Sequence, residues 1–166
     1  IYPALGGTQR PARIAGRELG RWAVLAGNFM NAETATDLGL VTHLVDINDV
    51  PNCIKDIHTS GKPADKYPGK PINENSPVVK FAKKFFSDGN MAALLAGSCP
   101  DGFDAEDKIV ARQLKSLKFT APIGLAMASE RIDATASMSL DEGLQLELQG
   151  LDLSLIHISE PTRLQQ

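Results

Sequence analysis

The chain is poor in cysteine, has no excess of positive charge and contains no long apolar run. Its 2 cysteines, Cys53 and Cys99, lie far apart and outside any C-x-x-C or Cys/His pattern, which disfavours a disulfide framework and a metal site. We interpret them as buried or incidental thiols of a reducing compartment and predict no metal ligand. The net charge of −3 disfavours nucleic acid or an anionic membrane as the main partner. No apolar run of the sequence is long enough to span a bilayer.

The overall composition of the chain is typical of a globular protein. The chain has 166 residues, of which 43% are hydrophobic and 22% are charged, enough for one domain with a sizeable core. No signal-peptide pattern is present, and together with the cysteine usage this predicts a cytoplasmic protein.

Both ends of the chain are unusual. Position 1 is not Met, and Ile1–Pro3 is interpreted as chain already in progress. Residues 153–166 resemble translated sequencing-adapter sequence, so we predict a non-native tail and give His157 no catalytic or ligand role. A natural edge strand is the alternative, but the alternation from Leu153 to Ile158 does not separate an apolar face from a polar one.

A glycine-built turn near the start, Pro3–Arg10, organises the rest of the chain. Gly6 and Gly7 carry no Cβ, so the backbone can adopt positive φ or approach a ligand closely. Thr8 can accept a backbone N–H at the start of a helix, and a helix start suits an anion or a polarised carbonyl group. A turn without any binding role is the alternative interpretation.

The rest of the chain is predicted to be mostly helical, with one strand and one long loop. Periodicity and capping residues predict helices at residues 8–14, 17–26, 32–38, 49–58, 77–87, 90–96 and 104–118, one opening at Pro122, and one at 140–151. Asp104 is predicted to cap the seventh helix and a Ser139/Glu142 capping box the last, whose apolar stripe would be Leu144, Leu148 and Leu151. Leu40–Val45 is predicted as a short strand, and Thr59–Ser76 as a loop.

Several short motifs, in order and spacing, resemble the enoyl-CoA hydratase/isomerase (crotonase) superfamily. They are Gly6-Gly7-Thr8-Gln9-Arg10, Arg13-Ile14-Ala15-Gly16, the helix ending Leu25-Ala26-Gly27, Ala32-Glu33-Thr34-Ala35 and Gly39-Leu40-Val41, and the likeness returns from Ala121 to Gly150. The resemblance implies an α/β fold, of which this chain is the C-terminal, helix-rich part of a crotonase-type ββα spiral. It implies a partial domain at residues 1–152, with an insertion at about 51–118.

The resemblance also implies a chemistry. Relatives bind an acyl-CoA thioester as substrate, without a further cofactor, and stabilise its enolate in an oxyanion hole while two glutamates add water to a 2-enoyl-CoA. Both glutamates stand upstream of the glycine turn in the family's order, so no catalytic residue is predicted in this chain. Pro3, Ala4, Leu5 and Gly6 are predicted to line the acyl pocket.

The sequence is also compatible with functions other than hydration of a 2-enoyl-CoA. Ala4 stands where hydratases usually carry Gly, which leaves room for isomerase chemistry or for a thioester hydrolase of the 3-hydroxyisobutyryl-CoA type. An inactive fragment that keeps only assembly surfaces is the non-enzyme alternative, and the one favoured for the 166 residues alone. The resemblance implies that the whole protein is a lyase or isomerase that acts on acyl-CoA derived from fatty or amino acids. It also implies a homotrimer or hexamer and a possible link to a 3-hydroxyacyl-CoA dehydrogenase. Contact with CoA phosphates is the less favoured interpretation of five basic residues, Arg10, Arg13, Lys62, Lys66 and Lys70.

Overall fold

A computed structural model describes residues 3–27 and 29–153 of the chain. Within them the backbone forms nine α-helices, one 3-10 helix at Ile47–Asp49 and no β-strand. The helices are α1 Arg10–Ala15, α2 Arg17–Leu25, α3 Ala32–Asp37, α4 Val50–Ser60, α5 Pro77–Phe85, α6 Asp88–Leu95, α7 Lys108–Lys118, α8 Pro122–Ala134 and α9 Leu140–Leu153. This confirms the prediction of a helix-rich chain. The predicted non-native tail lies outside the described residues, apart from Leu153 at the end of α9. No helix among the described residues has the length and apolarity needed to cross a membrane.

The chain divides into two compact units, one formed by Ile1–Asn28 with Phe81–Gln166 and the other by Phe29–Lys80. In the first unit α1 packs on α2, α2 on α8, α8 on α9, and α6 on α7 and α8. The α1–α2 contact depends on Gly20, because a Cβ there would lie 2.7 Å from the Cα of Ala12. Larger residues at this position would push the two helices apart.

Phenylalanine side chains form an aromatic cluster in the core of the first unit. Phe85 and Phe86 are fully buried, and the Phe85 ring meets Phe103 edge to face with a centroid distance of 4.9 Å. Phe81 stacks on Phe85 at 5.0 Å. Edge-to-face and offset stacking add to the burial of apolar area, so this cluster ties the end of α5 to the turn before α7.

A buried guanidinium braces the same unit. The side chain of Arg21 on α2 is 2% exposed and donates to Asp133 Oδ1 at 2.5 Å, to the Phe86 carbonyl at 2.9 Å and to Asp88 Oδ1 at 2.7 Å. Burial alone would lower the pKa of Arg21, but the hydrogen bonds to Asp133 and Asp88 outweigh it and raise that pKa. Arg21 therefore stays charged and joins α2 to the start of α6 and to the end of α8.

The second unit corrects one prediction. Asn31 caps α3 as expected, accepting the Thr34 N–H at 2.8 Å, but Leu40–Val45 is not a strand and the prediction is wrong. Leu40 and Val41 both donate their N–H groups to the Ala35 carbonyl at the end of α3, at 2.9 and 3.2 Å. A segment whose donors close the preceding helix cannot use them in a sheet ladder.

Two helix starts in the first unit test the capping predictions. The Ser139/Glu142 capping box is confirmed, since the Glu142 carboxylate accepts the Ser139 N–H at 2.8 Å. Asp104 is wrong as the cap of α7, which begins after Asp107. The carboxylate of Asp107 accepts the Ile109 N–H at 2.8 Å, whereas Asp104 accepts the Glu106 N–H within the preceding turn. Sequence spacing alone does not choose between two aspartates three residues apart.

Candidate functional site

The glycine turn is held by a carboxylate from the far end of the chain. Glu147, on α9, accepts the Gly6 N–H through Oε1 at 2.6 Å, and through Oε2 it accepts the Thr8 N–H at 2.9 Å and the Thr8 hydroxyl at 2.5 Å. The Glu147 residue is 3% exposed, and Gly6 and Thr8 are buried as well. The expected anion at this turn is therefore a side chain of the protein itself.

The peptide group between Leu5 and Gly6 is fixed on both sides. Its N–H donates to Glu147, and its carbonyl accepts from the Arg10 guanidinium. Leu5 has φ 59°, a left-handed conformation that side chains with a Cβ rarely adopt, while its own side chain is 91% exposed. Strained, exposed residues persist only where the surroundings over-determine them, and here the two flanking hydrogen bonds do so.

A second set of polar contacts joins the turn to α8 and α9. Gln9 is fully buried and donates from Nε2 to the Arg131 carbonyl at 3.2 Å. Arg13 donates to the carbonyls of Met138 and Ser139 at 2.8 and 2.9 Å. A Cβ at Gly143 would collide with the Gln9 side chain, so this glycine gives the turn room to approach α9.

One apolar cavity in the first unit reaches the turn. It has a volume of about 220 Å³. It is lined by Pro3 and by residues of α2, of α8 and of the segments just after α2 and just before α8, which are Val24, Leu25, Gly27, Thr120, Gly124, Leu125 and Ala128. Of the four predicted pocket residues, only Pro3 lines it. Ala4 is half-buried, Leu5 faces outward, and the N–H of Gly6 is donated to Glu147.

Four of the five basic residues with an alternative role at CoA phosphates make side-chain contacts within the protein. Arg10 and Arg13 both donate to backbone carbonyls of the first unit. In the second unit Lys62 pairs with Asp65 and Lys66 with Asp49, each at 3.4 Å. These contacts give the side chains a structural use without any phosphate. Among the residues that the structure describes, no group of three or more His, Cys, Asp or Glu side chains is placed to hold a metal ion.

Sequence reasoning missed Glu147 because it expected the leucines to define the buried side of α9. Leu148 is 58% exposed, and the buried positions of the described part of this helix are Gly143, Glu147 and Gly150. The spacing of these three residues, i, i+4 and i+7, is that of one helical face. Two glycines flanking a glutamate on one face were the available signal, because they allow another backbone to approach the carboxylate.

Comparison with known proteins identifies the class of this chain. A family model described as enoyl-CoA hydratase/isomerase matches residues 1–157. The chain therefore belongs to the enoyl-CoA hydratase/isomerase family, and the resemblance to the crotonase superfamily is confirmed. No curated protein and no solved structure matches it. Membership indicates an acyl-CoA-processing enzyme family and leaves the particular reaction open.

Proposed function

We propose that this chain is part of an enzyme that adds water to the double bond of a 2-enoyl-CoA thioester. The observation that carries the proposal is the family match, which runs through the glycine turn and α9 over residues 1–157. We propose further that the described helices are the helix-rich part of a ββα spiral. The fixed backbone of the turn supports a role as a wall of the acyl site, since a preorganised wall avoids an ordering cost on binding.

In this proposal the acyl group lies against Pro3–Gly6 and extends into the apolar cavity. The cavity walls from Val24, Leu25 and Ala128 offer no charge and suit a short hydrocarbon chain. At about 220 Å³ the cavity lies below the usual range for a whole ligand, which is roughly 300–1,000 Å³, so it would take only the acyl end. The coenzyme A thioester is the substrate, and no further cofactor is required.

The chain's own carboxylates are proposed to be structural, with the catalytic glutamates outside the 166 residues. Glu147 is buried and accepts three hydrogen bonds from the turn. Glu142 is committed to its capping box, and hydrogen bonding from the Ser139 N–H, then from its hydroxyl, lowers the pKa of Glu142. A general acid or base needs a proton site within reach of substrate, which neither arrangement offers.

A thioester hydrolase of the 3-hydroxyisobutyryl-CoA type is the second candidate. The specific observation in its favour is Ala4, at a position where the hydratases that the sequence resembles usually carry Gly. A Cβ there narrows the place of an attacking water and disfavours simple hydration. Hydrolysis releases the free thiol of coenzyme A, whereas hydration does not, so the two reactions have separate readouts.

The experiment follows both readouts on one sample of crotonyl-CoA. Loss of the ultraviolet absorbance of the conjugated thioester without thiol release reports hydration, whereas loss accompanied by thiol release reports hydrolysis. We expect hydration by the protein from the full reading frame and no turnover by the 166-residue chain alone. Thiol release that keeps pace with substrate loss would favour the hydrolase. Turnover by the chain alone would contradict the structural assignment of its carboxylates.

We also propose that the protein is cytoplasmic and self-associates into a trimer or hexamer. Several large apolar side chains of the first unit are exposed, among them Phe119 at 83% and Ile123 at 63%. Exposed apolar area of this kind is typical of assembly surfaces. Analytical ultracentrifugation of the purified protein tests the proposal, and a monomer at micromolar concentration would contradict it.

A further inference from the structure

The contact between Glu147 and the turn carries an inference about the acyl site. Gly6 and Thr8 are separated from Glu147 by 141 and 139 residues, so α9 reaches back to the first turn of the described chain. One carboxylate receives two backbone N–H groups and a hydroxyl, at 2.6, 2.9 and 2.5 Å. Hydrogen bonds to an ionised acceptor are stronger than those between neutral groups, and burial strengthens them further.

The position of these bonds matters more than their number. The Gly6 N–H belongs to the same peptide group as the Leu5 carbonyl, which accepts from Arg10. A peptide plane held at both ends fixes ψ of Leu5 and φ of Gly6, at a point where φ of Leu5 is already 59°. Without the carboxylate, Gly6 is free to adopt other conformations, and the backbone from Pro3 to Gly6 loses its single arrangement.

A catalytic role for Glu147 does not fit this geometry. The Glu147 residue is 3% exposed and its carboxylate is bonded to the turn, whereas the cavity is lined by Pro3 and not by Glu147. A substrate atom would have to displace a donor from Gly6 or Thr8 to contact it. The carboxylate therefore acts on substrate only through the backbone that it holds.

We propose that Glu147 is a positioning residue that fixes the Pro3–Gly6 backbone as the wall of the acyl site. This inference rests on the proposed function, because it assumes that the turn meets the acyl group. Loss of the carboxylate should weaken recognition of the acyl group more than recognition of the coenzyme A part. A residue that only supports folding would not change the ratio between the two.

The test measures that ratio by calorimetry, with butanoyl-CoA and free coenzyme A as the two probes on the 166-residue chain. Butanoyl-CoA is saturated and cannot be hydrated, so binding is measured without reaction. We expect Glu147→Gln to reduce the preference for butanoyl-CoA about tenfold, which corresponds to roughly 1.4 kcal/mol. Thr8→Val should reduce it less, since only the hydroxyl is lost, and Thr8→Ser should restore it.

Glu142→Gln is the matched control, because Glu142 lies on the same helix and contacts Ser139 rather than the turn. It should leave the preference within about twofold of the unmodified chain. A preference unchanged in Glu147→Gln would overturn the positioning role alone. An unmodified chain that binds both probes equally would overturn the proposed acyl site, and the positioning role with it.

Discussion

Arg21 and Glu147 are both buried charged side chains of the first unit. Different kinds of hydrogen-bonding partner stabilise the two buried charges. The side chain of Arg21 is 2% exposed and meets two carboxylates that remain 60% and 41% exposed. The Glu147 residue is 3% exposed, and its carboxylate accepts hydrogen bonds from the Gly6 and Thr8 N–H groups and from the Thr8 hydroxyl. A buried ion is tolerated when hydrogen bonds satisfy its charged group, and here the donors and acceptors come from different parts of the protein.

The difference lies in what happens when each charge is removed. The partners of Arg21 reach solvent, so Asp88 and Asp133 can be hydrated in its absence, and only the Phe86 carbonyl loses a buried donor. The partners of Glu147 are buried in a turn that carries a strained residue, and water does not replace the carboxylate easily. We infer that Arg21 braces helices, whereas Glu147 determines a backbone conformation.

The largest expected effect is that of Glu147→Ala. It leaves the buried donors of Gly6 and Thr8 without their acceptor, and each unsatisfied buried donor costs about 1–3 kcal/mol. We expect the free energy of unfolding to fall by about 3–5 kcal/mol, measured by urea denaturation. Glu142→Ala on the same helix should cost clearly less. Equal losses of stability in Glu147→Ala and Glu142→Ala would contradict the claim that Glu147 determines the conformation of the turn.

Arg21→Met comes next. The methionine fills much of the same volume, so the main loss is the donor to the Phe86 carbonyl and the attraction to the two carboxylates. We expect a loss of about 2–3 kcal/mol in the same denaturation experiment. Arg17→Met is the control, since Arg17 contacts Asp88 at the surface and surface pairs contribute up to about 1 kcal/mol. If Arg21→Met lowered the free energy of unfolding more than Glu147→Ala, Arg21 and not Glu147 would contribute more to stability.

Local features of this fold were predictable from the sequence. Asn31, the Ser139/Glu142 pair and Pro122 mark helix starts through contacts within a few residues, and each helix begins where the signal stands. Such contacts depend on residue type and spacing alone, which a sequence displays directly.

Long-range features were not predictable in the same way. The role of Glu147 depends on partners 139 and 141 residues away in the sequence. The predicted leucine stripe assigned the buried face of α9 to other residues, so Glu147 was not singled out. The segment Leu40–Val45 has strand-like composition, but a strand needs a partner, and its first two N–H groups are used by α3. The family was recognised from the glycine turn, while the acyl-pocket role of Pro3–Gly6 stays a prediction.

A smaller effect is expected at Leu5, and it sharpens the claim that the turn is strained. A left-handed conformation costs about 1–2 kcal/mol in a residue with a Cβ, and the exposed leucine side chain offsets little of it. Glycine removes this cost and loses some chain entropy on folding. Leu5→Gly should therefore be more stable than Leu5→Ala by about 0.5–1 kcal/mol in urea denaturation. An advantage for alanine would show that the turn stores no strain.

The smallest expected effect is a change in the acid dependence of stability, and it concerns Arg21 rather than Glu147. The hydrogen bond from Arg21 lowers the pKa of Asp88 below its ordinary value of 3.8; burial opposes this shift, and the charges of Arg21 and Arg17 reinforce it. Because the folded state binds this proton less readily than the unfolded state, the contribution of Asp88 is complete above 3.8 and is lost as pH falls through the lowered pKa. Asp88→Asn should reduce stability at neutral pH and flatten the decline below about pH 4, measured by urea denaturation at a series of pH values. Parallel declines in the two proteins would mean that the attraction between Arg21 and Asp88 is screened by solvent and that Asp133 alone compensates the buried guanidinium.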